Sequence, residues 1–425
     1  LTKGSTLASI KLLIIVAAKE SLVRRTGIYL CGFALLVLTV VSTGPSILPG
    51  AGGSAFAAGA QIAEAKSLIL LIGDGMGPQI LSIGKVYSEM ELNAELNMVL
   101  LANRGALGYV TTHSADKLVT DSAASGTALA CGKKTNNGMV GWLPDDTPIE
   151  NICDIALRQG KSVGAVTTTS VTHATPACFL AHHKYRTYEW DIAEQIAEGD
   201  ANVVLGGGTK YFLPPERGGG RRGGDLTVQA AERGFDVVFD RESMLASEAG
   251  RLLGLFSPES MPFELERDVE KVPSLTEMTA KAIEILSRDE DGFVLMVEGG
   301  RIDHAEHENN IARSIGDLIA FDAAVGYAME FQEDNPDVIV IVTADHDCGG
   351  PAITASKGAY DGYPGIDQYH AIDDESPPFI GWVSGDHTAT MVPIIAIGPG
   401  EEHFRGIIDN VDVNRHMVAI LGLKE

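Results

Sequence analysis

The chain has 425 residues, 45% of them hydrophobic, with 32 basic and 57 acidic side chains and a formal charge of −25. That length supports one large α/β domain or two smaller ones. The acidic balance excludes nucleic acid as a stable partner, because a phosphate backbone needs a basic surface, but it leaves phosphate chemistry open, since bound cations can invert the local field.

The first 57 residues stand apart from the rest. Lys19, Arg24 and Arg25 form a basic region, the 14 residues from Ile28 to Val41 are apolar, and Ala55-Phe56-Ala57 closes the stretch. This is the layout of a secretory signal with cleavage near Ala57, and the apolar run is short for a spanning helix. An uncleaved N-terminal anchor is the alternative. Arg24-Arg25 would suit twin-arginine export, but Thr26-Gly27-Ile28 is a poor sequel, so general secretion to the periplasm or medium is expected. Residues 1–20 precede any usual signal and the chain opens without Met, which points to a misplaced start. Residues 1–57 thus read as a leader, and 58–425 as a single catalytic domain with 27 basic and 56 acidic residues and a charge of −29. Cys131, Cys153, Cys178 and Cys348 remain there without CxxC spacing; one or two disulfides or buried free thiols both fit.

Short apolar runs at 67–72, 162–168, 202–205, 236–239, 293–297, 337–343 and 394–397 predict strands. Between them, helical patterning is expected near 149–159, 187–198, 275–288, 309–333 and 409–421. The last-but-one, with Ile311, Ile315, Leu318, Ile319 and Phe321, reads as a packing helix. This alternation predicts a three-layer α/β sandwich, a mostly parallel central sheet flanked by helices. "PPERGGGRRGGD" at 214–225 is expected to be a flexible surface loop.

Chemistry-bearing residues follow the strands. "SLILLIGDGMG" runs into Asp74, "GFVLMVEGGRIDHAEHE" into Glu298, Asp303 and His307, and "DVIVIVTADHDCGG" into Asp345 and His346. The 162–168 strand leads to His173, Thr175 and Arg186. Ligands of open α/β sheets bind beyond the carboxyl ends of strands. Each element also has a plain reading: Asp74 as a turn residue, Asp303 and His307 as an i,i+4 surface pair, His387 as a loop histidine, Ser122 in "VTDSAASGTALACG" as the start of a helix. Their clustering points elsewhere. Carboxylates with imidazoles suit Zn²⁺, and carboxylates with a threonine hydroxyl suit Mg²⁺. Two cations can clamp the attacking and leaving oxygens of an in-line phosphoryl displacement, and a cation-bound serine loses its proton readily.

The motifs "LIGDGMG", "VTDSAASGTALACG", "THATPACFLAHHKYR", "VEGGRIDHAEHEN", "TADHD" and "GDHTAT" resemble, in order and spacing, those of the alkaline phosphatase family over essentially the whole chain after residue 57. The resemblance implies hydrolysis of small phosphate monoesters, with broad substrate range and an alkaline optimum, on two Zn²⁺ and one Mg²⁺ per subunit. It implies that Ser122 becomes phosphoserine, that Asp121 orients Arg186, and that Arg186 holds two phosphate oxygens. Asp303, His307 and His387 would hold the first zinc, whose hydroxide attacks the phosphoserine. Asp345, His346 and Asp74 would hold the second, which also binds Ser122, while Asp74 bridges to a magnesium completed by Thr175 and Glu298. His173 and His304 stand where the best-known bacterial enzyme has aspartate and lysine, as in animal and many other bacterial members. His173 would then contact the third metal or make it less strictly magnesium, and His304 would approach the phosphate through water. Cys348, where a small polar residue is common, reads as packing or as a soft ligand. The family's frequent dimers imply a homodimer. A phosphodiesterase, sulfatase or mutase on the same core is the nearest alternative, although no C/S-x-P-x-R motif accompanies Ser122. A secreted metal- or phosphate-binding protein without turnover is the other.

Overall fold

Unbroken runs of Val, Ile and Leu form strands buried on both faces, which need helices above and below them. The computed structural model describes residues 64–354 and 379–424, within one compact unit, Ala63–Glu425. The leader and its cleavage site lie outside the described residues. The strands are β1 (Ser67–Ile72), β2 (Ala106–Thr111), β3 (Ser162–Ser170), β4 (Val203–Gly207), β5 (Asp236–Val238), β6 (Leu252–Leu255), β7 (Phe293–Glu298), β8 (Val338–Thr343), β9 (Asp347–Cys348), β10 (Ala352–Thr354), β11 (Phe379–Gly381), β12 (His387–Thr388), β13 (Val392–Ile397) and β14 (Gly406–Asp409).

Ten of them make one sheet in the order β14-β2-β13-β8-β1-β7-β3-β4-β6-β5. β13 alone runs antiparallel to its neighbours β2 and β8. β1, β7 and β8, central in the sheet, are buried at every position. Their register is in step, Ile72 pairing with both Glu298 and Thr343, and Thr167 of β3 pairing with Glu298. The residues just past these strands therefore emerge at one carboxyl edge. This is the expected mostly parallel sheet flanked by helices.

Helices Ile152–Arg158, Glu189–Glu198, Leu275–Leu286, Ile311–Asp334 and Asn410–Ile420 fall on the five expected stretches, with trimmed ends. Ser274 and Glu277 close a capping box on the third of these. β2, β6 and β14 carried no strand expectation. β2 reads "ALGYVT" and β6 "LLGL", each interrupted by Gly, while β14 is a four-residue edge strand. The 214–225 segment is not the loose loop its composition suggests. Arg221 is buried, donates to the Trp190 carbonyl at 3.0 Å and pairs with Glu194. Its guanidinium pins the glycine run to the Glu189–Glu198 helix. The four described cysteines are free thiols.

The Asn97–Arg104 helix has no side-chain cap from its own Leu96 N-cap. Asp322, from the long Ile311–Asp334 helix, supplies one at a distance: its carboxylate accepts from the backbone N–H of Asn97 and Met98, both at 2.9 Å. Asp322→Ala would leave two buried donors unpaired and is expected to cost about 2–3 kcal/mol of stability, read as a lower urea midpoint with an unchanged slope.

Candidate active site and metal centre

Ser122 opens the Ser122–Cys131 helix, and Asp121 is its N-cap, accepting from Ala124 N–H at 3.0 Å. Every residue from Ser122 to Ala130 is buried, because side chains this small let the helix pack closely against the Ala174–Leu180 helix. Cap and candidate nucleophile are compatible: the helix start directs free N–H groups and positive potential at whatever meets Ser122. Asp121 also accepts from Gly138 N–H at 3.1 and 3.0 Å and from Arg186 Nη1 at 3.0 Å. Arg186 is thereby aimed by the residue adjacent to the serine. Its Nη2 lies 3.1 Å from His173 Nε2.

Asp74 leaves β1 into a turn whose glycines permit close approach. Gly75 has φ +74°, and a Cβ at Gly77 would sit 1.7 Å from Asp347 Oδ1. Asp345 follows β8; its Oδ1 accepts from Gly75 N–H at 3.2 Å and from His346 N–H at 2.9 Å. His346 Nε2 is 3.2 Å from Ser122 Oγ, 3.2 Å from Asp345 Oδ2 and 3.5 Å from Asp74 Oδ1.

Asp303 and His307 do share a face, on the Arg301–His307 helix, and the β9–β12 pairing brings in His387. Asp303 oxygens lie 3.4 Å from His307 Nε2 and 3.5 Å from His387 Nε2, and the two Nε2 atoms are 3.1 Å apart. His307 Nδ1 is bonded to the Gly385 carbonyl at 2.7 Å and His387 Nδ1 to the Thr120 carbonyl at 2.9 Å. Carbonyls only accept, so both Nδ1 atoms carry protons and, in the neutral rings, both Nε2 atoms present lone pairs to each other and to a carboxylate. Three acceptors converging in this way fit a cation, with the carbonyls orienting the imidazoles behind it.

Ligand-type atoms fall into three such groups: Asp303, His307, Cys348 and His387; Asp74, Asp303 and His346; Asp74, His173 and Glu298. The second brings in Asp303 where Asp345 was expected. One Asp345 oxygen is taken up by two backbone N–H groups, while Oδ2 is buried without a hydrogen-bond partner. Both Asp74 oxygens and Glu298 Oε1 are likewise unpartnered and buried. Burial, then the neighbouring carboxylates, hold Asp74 well above the usual carboxylate range and bring Asp345 up to about 7. Burial also raises Glu298, against hydrogen bonds from Thr167 and Thr169. Burial opposes the charge on Asp303 too, but His387, His346 and His307 reverse it and hold that carboxyl below the ordinary range. A buried anionic cluster with orphaned oxygens is costly unless cations occupy it, so the donor set fits metal.

The structure thus brings Asp74, Asp121, Ser122, His173, Thr175, Arg186, Glu298, Asp303, His304, His307, Asp345, His346 and His387 to one edge of the sheet. It also shows residues the motifs did not announce. Ser125, one turn into the Ser122–Cys131 helix, donates to the Asp345 carbonyl at 2.6 Å and ties that helix to the β8 turn. Thr167 and Thr169 hold Glu298 Oε2. Only their place in "VTTTS", on the strand registered with Glu298, could have signalled it. Cys348 Sγ lies 4.0 Å from the Asp303 carbonyl, and burial pushes the thiol up, so packing and proximity to the first group hold together.

Fold and site together describe an α/β protein of mostly parallel sheet, with a buried serine on a helix N-terminus beside a donor set that fits metal. The family model for alkaline phosphatase matches residues 65–371. The chain is 32% identical to alkaline phosphatase 4 of Bacillus subtilis over 84% of its own length and 89% of that protein. It is 35% identical to the repressible alkaline phosphatase of Saccharomyces cerevisiae over 74% of its length and 61% of the yeast protein. Alkaline phosphatase from the Antarctic bacterium TAB5 superposes with a TM-score of 0.74 at 31% identity, covering 86% of this chain and 100% of that one; a variant of it is described with Mg bound in the M3 site. The chain belongs to the alkaline phosphatase family and is an enzyme of phosphomonoester hydrolysis.

Proposed function

We propose that hydrolysis runs through a phosphoserine on Ser122, with two Zn²⁺ and one Mg²⁺ in the three ligand groups. The observation that carries this reading is the position of Ser122 Oγ, on a helix N-terminus and 3.2 Å from His346 Nε2. Metal ions held there would act as Lewis acids, stabilising charge on the attacking and departing oxygens and activating water near neutral pH.

The chain's own groups do the rest. Arg186, aimed by Asp121, grips two non-bridging phosphoryl oxygens. Ser122 Oγ gives up its proton and forms a bond to phosphorus as the ester P–O bond breaks, and the departing alkoxide takes up a proton. Water then attacks the phosphoserine from the vacated side and gives up a proton, the Oγ–P bond breaks, Ser122 Oγ is reprotonated, and inorganic phosphate leaves. Helix N–H groups and Arg186 stabilise the charge in both displacements. These contacts address the phosphoryl group, so leaving-group range should be broad. Activity should rise at alkaline pH, where the ligands stay deprotonated.

Purified, metal-loaded protein is expected to release p-nitrophenol from its phosphate monoester at least about 10³ times faster than from the corresponding diester, since a diester offers only two non-bridging oxygens and one negative charge where the monoester offers three oxygens and two charges to Arg186 and the cations. Comparable rates would place the chain among diesterases, and no turnover would leave a binding protein. A homodimer, and export by the leader with cleavage near Ala57, complete the proposal. Sedimentation and N-terminal sequencing test them.

A further inference from the structure

Arg301 adjoins the site and has no assigned part in it. It opens the Arg301–His307 helix, its N–H donating to Thr168 Oγ1 at 3.1 Å. Its guanidinium carbon lies 3.6 Å from the centre of the buried Phe263 ring. Arg313 lies on the same ring at 4.3 Å but is ion-paired to Glu266 and Glu308. Among the described residues no carboxylate pairs with Arg301, whose buried Nε has no hydrogen-bond partner. What Nη1 does have is His304 Nδ1, at 2.7 Å, one turn along the same helix.

A guanidinium has only donors. Nδ1 of His304 must therefore accept, and the neutral ring keeps its proton on Nε2. An imidazolium would set N–H against N–H at the same contact. This is the opposite arrangement to His307 and His387, whose Nδ1 atoms face carbonyls and whose Nε2 lone pairs are left for a cation. His304 sits between metal-type residues in sequence, next to Asp303. Its ring is edge-on to His173, with centroids 5.4 Å apart, and His173 is bonded to Arg186.

We propose that Arg301 is a positioning residue that fixes His304 as the Nε2–H tautomer, so that this imidazole offers a donor to the phosphoryl group and is withheld from the metals. Phe263 clamps the guanidinium, and among the described residues no carboxylate lies within ion-pair distance to take Nη1 from the ring. The inference rests on the phosphomonoesterase reading of the site.

Two measurements test it. In metal-free protein, ring ¹⁵N spectra assigned with His304→Gln should show an unprotonated Nδ1 and a protonated Nε2 on His304, and Arg301→Met should convert this to a tautomer mixture. In loaded enzyme, Arg301→Met should raise KM for a monoester and the inhibition constant of inorganic phosphate about fivefold, with a smaller change in kcat. Arg301→Lys, which keeps a donor and controls for folding, should recover part of the loss. In a His304→Ala background, Arg301→Met should have no further effect. A protonated Nδ1 in the wild type would overturn the proposal, as would an Arg301→Met penalty that persists without His304. Absence of monoester turnover by the wild type would sink the functional reading alone, because the spectra decide the tautomer without metal or substrate.

Discussion

Ser122→Ala is expected to abolish the phosphoenzyme and lower kcat by about four to six orders of magnitude, the scale seen when a covalent nucleophile is removed. The loss should be confined to chemistry. Ala is a good residue for the first helical position, and Asp121 still accepts from Ala124 N–H, so the helix start keeps its cap. Arg186 and the ligand groups are untouched, and the inhibition constant of inorganic phosphate should move by no more than about tenfold if a single neutral hydrogen bond is lost. Rapid acid quench with a labelled monoester reads the covalent intermediate directly. An unchanged burst in the variant would remove Ser122 from the nucleophile's place.

Metal removal should have the second largest effect, on activity and on stability together. Without cations, Asp74, Glu298 and Asp345 are buried carboxyls with unpartnered oxygens, all raised by burial, Asp345 to about 7 from 3.8. A carboxyl raised on folding binds protons that the unfolded chain has released. Through Asp345 the metal-free protein therefore loses stability as pH rises from the ordinary carboxylate range towards about 7, and that penalty persists above it, with Asp74 and Glu298 adding loss in the same direction; at pH 9 it should amount to a few kcal/mol. In the loaded protein cations replace those protons. Chelation should lower the melting temperature sharply at pH 9 and much less at pH 6, and hydrolysis should stop at both. An equal drop at the two pH values would show that the cluster is not what the metals stabilise.

Some features could be read locally. β1, β7 and β8 are continuous apolar runs, and the length of such a run with its flanking Gly and Asp is a short-range signal. The Asp303/His307 pair lies within one helical turn, and Asp121 caps its own helix, so both follow from spacing along the chain. β2 and β14 were hidden because they lie at one side of the sheet. Leu107, Tyr109 and Ile407 there are exposed, and the buried face of β2 carries Ala106, Gly108 and Val110, two of them too small to give an apolar signal. Arg221 was misread for a different reason. Composition reports the glycines around it, whereas its anchor, Glu194, lies 27 residues away.

The sequence by itself determined the family and the candidate residues: motif order and residue type point to Ser122, Arg186 and the donors, because each motif is short and its geometry is set by one turn or one strand end. Tertiary structure alone decided how those donors group. Ser122 meets His346 across 224 residues, His387 reaches Asp303 through the β9–β12 pairing, and Arg301 sets the tautomer of His304. Which lone pair faces which cation depends on what lies behind each ring. Those partners come from strand register and helix packing, which no local spacing encodes.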